Sequence, residues 1–171
     1  FSEDIASLLV NETVTALRAQ GRMPMPKISK RAAARARQQT IDKAEPVAQF
    51  AAEVDNVAYA RQGVPFDAET AKIFDQRIVQ AEASGIPEEE LAGLRAAVKA
   101  RDLRRIREEA QRLQDRYQLE AIGKAGEQIP FDSATMRGVG ADIADGQLVT
   151  VIRQGHRQAV KGEVVQLDRA V

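Results

Sequence analysis

The residues best suited to chemistry cluster in Lys27–Lys43, KISKRAAARARQQTIDK. Lys27, Lys30, Arg31, Arg35, Arg37 and Lys43 stand there against one acid, Asp42. At 100° per helical residue, the first five fall within a sector of roughly 160°. Ala32, Ala33, Ala36 and Thr40 fall on the other side. A one-sided row of ammonium and guanidinium groups suits an anionic partner, either acidic protein or phosphate. Lys27, Lys30, Arg31, Arg35 and Arg37 are therefore the expected partner or phosphate contacts. No aromatic residue interleaves with them, so base stacking is not expected and nucleic-acid binding would be sequence-independent.

Other chemistry is thinly represented. There is no cysteine, and His156 is the only histidine. Thiolate zinc sites and two-histidine metal sites within one chain are excluded by that inventory. His156 lies in RQGHRQ, a stretch expected to turn, and is read as solvated. Gly138-Val139-Gly140 begins like a dinucleotide loop, but Ile143 stands where a third small residue belongs. Asp142 and Asp145 lack the spacing of a calcium loop. Glu88-Glu89-Glu90 suits the first turn of a helix, and Arg104/Glu108, Arg105/Glu109 and Glu108/Arg112 are i,i+4 pairs of a solvated face. The expectation is a protein without enzymatic activity, metal or cofactor.

The balance of charge is zero over 171 residues, yet it is uneven. Residues 18–43 hold eight basic residues and one acid, whereas residues 44–100 hold five basic residues and ten acids. Hydrophobic residues make up 44% and aromatics 4%, with much alanine, which favours closely packed helices. No apolar run reaches the length of a membrane span, and no signal-peptide pattern opens the chain. The chain begins at Phe1, which reads as a processed chain or a piece of a longer protein, and a cytoplasmic location is expected.

Six helices can be traced in the pattern. Ser2 with Glu3 and Asp4 starts the first, whose apolar face includes Ile5, Leu8, Leu9, Val14 and Leu17. Met23-Pro24-Met25-Pro26 forms an extended hinge. Ser29 caps a basic helix to about Asp42, and Glu45-Pro46 opens a separate third helix with Val47, Phe50, Val54 and Val57. Val64-Pro65-Phe66-Asp67 is a helix entry in which Asp67 caps and Phe66 staples. Pro87 and Asp102 head the last two helices. Ile129-Pro130-Phe131-Asp132 echoes the helix entry at an offset of 65 and is read mainly as reuse of a good capping sequence. From Gln147 to Leu167, β-branched residues alternate as in a hairpin or three-strand meander.

The expected fold is therefore mainly α: a bundle of five or six helices with a small C-terminal β unit. The helical domain spans residues 1–124, with the basic helix at 27–43 after the Met-Pro hinge. Residues 125–171 form a linker or short helix and the β appendage. The expected function is a non-catalytic protein-interaction or scaffolding module of a larger multidomain or assembled protein. Its partner would be another protein or another part of a longer parent chain, with no membrane. The alternative is a nucleic-acid-contacting accessory domain that uses the basic helix. In its alanine- and arginine-rich texture the chain resembles helical accessory modules of conjugation or phage DNA-processing proteins.

Overall fold

A computed structural model of the protein describes residues 29–140, 142–160 and 163–171. The expected helix over 2–20, the Met-Pro hinge and Lys27 lie outside the described residues. The chain divides into two units, Phe1–Ala36 and Arg37–Val171.

The first described helix, α1, runs from Lys30 to Ala60. Ser29 starts it as expected: its Oγ accepts from the Ala32 N–H at 3.1 Å. Ala, Arg, Lys and Gln are strong helix formers, which accounts for a helical start that needs little packing. The structure corrects the expected break at Pro46, because α1 continues through it. An interior proline costs about 3 kcal/mol through a lost hydrogen bond and a clash. Asp42, whose carbonyl loses its N–H partner there, is exposed, so solvent can replace that bond. Ala44, Val47, Ala48, Phe50 and Ala51 are all buried around the proline, and packing of this face offsets the cost. Two expected helices thus become one. Four helices, not five or six, are present among the described residues.

The next helices follow the pattern closely: α2 at Ala68–Ala83, α3 at Glu88–Lys99 and α4 at Leu103–Arg116. Asp67 caps α2 by accepting from the Thr70 N–H at 2.9 Å, and Asp102 caps α4 by accepting from the Arg105 N–H at 3.1 Å. The Thr70 N–H, followed by the Thr70 side chain, lowers the Asp67 carboxyl from its usual value. Phe66 enters beneath α2 and stacks on Phe74 with centroids 5.8 Å apart. The helices share one core, in which Phe74, Ile78, Leu91, Leu94 and Ile106 are fully buried.

Strands begin earlier than expected. β1 is Leu119–Ile122, β2 Gln128–Pro130, β3 Leu148–Thr150, β4 Gly155–Val160 and β5 Glu163–Asp168. They form two antiparallel sheets, β1-β4-β5 and β2-β3: β4 and β5 pair as the expected hairpin, whereas β3 pairs with β2 and not in a meander. Leu119 is buried in the helical core, and Leu167 packs against it. A second small core gathers Phe131, Met136, Val151 and Ala170. The echoed motif does not start a helix. Asp132 instead closes a turn, accepting from the Ala134 N–H through its carboxylate at 3.0 Å and from the Met136 N–H through its carbonyl at 2.8 Å.

Candidate functional site

Between Lys30 and Lys43, α1 has no fully buried residue; burial starts at Ala44. This length is about 21 Å of helix at 1.5 Å per residue. Lys30, Arg31, Arg35 and Arg37 are all exposed. Lys30, Arg31 and Arg35 make no ion pair among the described residues, whereas Arg37 is engaged. The alanine side does not bury itself either: Ala32 and Ala36 are exposed, and Ala33 and Ile41 are half-buried. Asp42, the lone acid here, accepts from the Gln38 amide at 2.8 Å. Four of the five expected contact residues therefore lie along one continuous exposed helix.

His156 departs furthest from expectation. It was expected in a solvated turn, but it is fully buried in β4. Gly155 begins the strand, and alternation turns His156 and Gln158 to the side facing α4. The His156 Nε2 lies 3.2 Å from Gln114 Oε1, and the Gln158 amide donates to the Tyr117 carbonyl at 2.9 Å. Gln114 is itself buried and donates to the Ala110 carbonyl at 3.3 Å. Local pattern hides this polar seam, because Gly155-His156 has the form of a turn between strands. The partners that make burial of His156 and Gln158 tolerable come from a helix some forty positions away in the chain, at separations of 42 and 41.

A second seam joins α3 and α4. Tyr117 donates to Glu90 Oε2 at 2.5 Å, and Arg116 lies 3.9 Å from the other carboxylate oxygen. Burial pushes the Tyr117 phenol up to about 12, helped by the Glu90 hydrogen bond and charge. Glu90 was read only as first-turn charge; it also serves as this acceptor. On the solvent side of the sheet, Arg157 pairs with Glu120, which lowers the glutamate and raises the arginine.

No group of three or more potential metal-ligating side chains converges among the described residues. No described helix is long and apolar enough to cross a membrane. Compared with known proteins, the chain matches no family model, no curated protein and no solved structure.

Proposed function

We propose that the chain is a non-catalytic protein-interaction or scaffolding module of a larger assembly, and that it docks through the basic start of α1. One observation carries this reading. The helix presents Lys30, Arg31, Arg35 and Arg37 to solvent without burying a single residue before Ala44. A polar helix that contributes nothing to a core gains from a partner surface what it lacks in packing. The partner is an acidic protein surface. The burial of His156 against Gln114 supports a structural role for the one histidine.

The charges also favour a second reading, in which the same face follows nucleic-acid phosphates without reading sequence. If all four cations contacted phosphates, log affinity would fall against log salt with a slope of about −3 to −4.

The test is a crosslinking pull-down with and without nuclease, comparing the native chain with a variant carrying Lys30→Gln, Arg31→Gln, Arg35→Gln and Arg37→Gln. The expected outcome is loss of the captured protein in the variant, nuclease resistance of the native complex, and a melting temperature nearly equal to that of the native chain. Exposed substitutions of this kind change stability by about 0.5 kcal/mol or less. A large drop in melting temperature would mark the segment as structural. Nuclease-sensitive capture, with DNA binding that weakens at higher salt, would favour the second reading. Capture unaffected by the four substitutions would overturn both.

A further inference from the structure

A cleft of about 360 Å³ opens between α1, α4 and the loop that joins β1 to β2. It includes no residue of the basic segment. Its volume lies within the range of small-ligand sites, roughly 300–1,000 Å³. The aliphatic side chains of the lining are small, Ala51, Val54, Ala110 and Ala125, and Tyr59 adds an aromatic ring.

Polar groups dominate its recognition chemistry. Gln114 and Gln154 line the cleft and are about 95% buried, at 5% and 4% exposure. The Gln154 amide donates to the Gly123 carbonyl at 3.2 Å, but its Oε1 has no hydrogen-bond partner. An acceptor buried in this way is costly, and it is enclosed by the protein itself. Asp55 and Glu127 bring negative charge to the same cleft, and Arg107 and Lys124 bring positive charge.

The loop wall is well anchored. Asp55 Oδ2 accepts from the Ala125 N–H at 2.7 Å, and no described residue engages its other oxygen. Gly126 has φ +84°, and a Cβ there would come within 2.1 Å of the Tyr59 ring. The loop thus lies directly against Tyr59, half of which remains exposed at the mouth. A fixed wall lowers the ordering cost of binding.

We propose that this cleft binds a short peptide with free charged ends. Both signs of charge exclude a simple anion or cation as the best fit. Amide side chains match the alternating N–H and C=O groups of a peptide backbone. The ammonium is met by Asp55 and Glu127, and the carboxylate by Arg107 and Lys124.

The test uses the full-length, isotopically labelled chain and triglycine as the probe, followed by NMR up to about 10 mM, the range of weak binding. Expected are saturable shifts of the Ala125 and Gly126 backbone amides and of the Gln114 and Gln154 side-chain amides. Acetylating and amidating the two ends of triglycine should weaken binding at least about fivefold. So should the double variant Arg107→Glu with Lys124→Glu, both exposed positions, at an unchanged melting temperature. Absence of saturable shifts at these groups would overturn the proposal. Equal binding by the capped peptide, or by a correctly folded double variant, would overturn it too.

Discussion

Tyr117 shows how one side chain couples two helices to pH. Its phenol donates to Glu90 at 2.5 Å in a partly buried site, and burial, followed by the Glu90 bond and charge, raises it to about 12. An unfolded tyrosine loses its proton near 10. The folded state therefore holds this proton more tightly. The resulting stabilisation is complete below pH ~10 and disappears as pH rises through about 12. Tyr117→Phe keeps the ring and removes the bond. It should cost about 1–2 kcal/mol at neutral pH, read by urea unfolding, and flatten the loss of stability between pH ~10 and ~12. A variant with an unchanged alkaline profile would show that the Tyr117 phenol is not the source.

The histidine belongs to the same scale. His156 and Gln158 were legible as residue types but not as interior residues. Gly155-His156 has the local form of a turn; pairing of β4 with β1 and β5 makes it strand, and Gln114 and the Tyr117 carbonyl meet its polar groups inside. The exposure of Lys30, Arg31, Arg35 and Arg37 was more legible, because they lie on a helix whose start needs no partner element.

Among the elements, α1 departs most from expectation. Glu45-Pro46 has the form of a helix start, and local chemistry favours that reading. Burial on either side of the proline favours continuation instead. The two possibilities respond oppositely to Pro46→Ala. Within a continuous helix, the substitution restores an N–H donor to the Asp42 carbonyl and removes a clash. After allowance for the freer unfolded chain, it should stabilise the protein by about 1–2 kcal/mol in chemical denaturation. At a true helix start it would be neutral or harmful. The strands teach a related lesson. Ile129-Pro130-Phe131-Asp132 has the same local syntax as the entry to α2, yet it ends β2 and closes a turn. Pairing of β2 with β3 and burial of Phe131 take up the chain before a helix can follow.

Within the larger unit, Arg37–Val171, the strands pack on the helices. Leu119 of β1 is buried in the helical core, Asp55 of α1 holds Ala125, and Gln114 of α4 meets His156 of β4. Leu119→Ala should therefore cost about 2–5 kcal/mol. Hydrogen exchange should show α4 and β4 amides losing protection together, in the variant as in the native chain. Strands that open well before the helices would contradict this coupling.

By itself the sequence determined that the protein is mainly helical, where α2, α3 and α4 begin, and which side of the first described helix carries positive charge. Those features follow from caps, helix-breaking residues and a 3.6-residue period, all of which act within a few positions. Tertiary structure alone decided that α1 crosses Pro46, that β1 leaves the helical run at Leu119, that the strands divide into two sheets, and that His156 is interior. Each of these depends on apolar burial or a hydrogen-bond partner supplied from far along the chain. The energy of such a contact outweighs the local preference, and local residue patterns do not encode it.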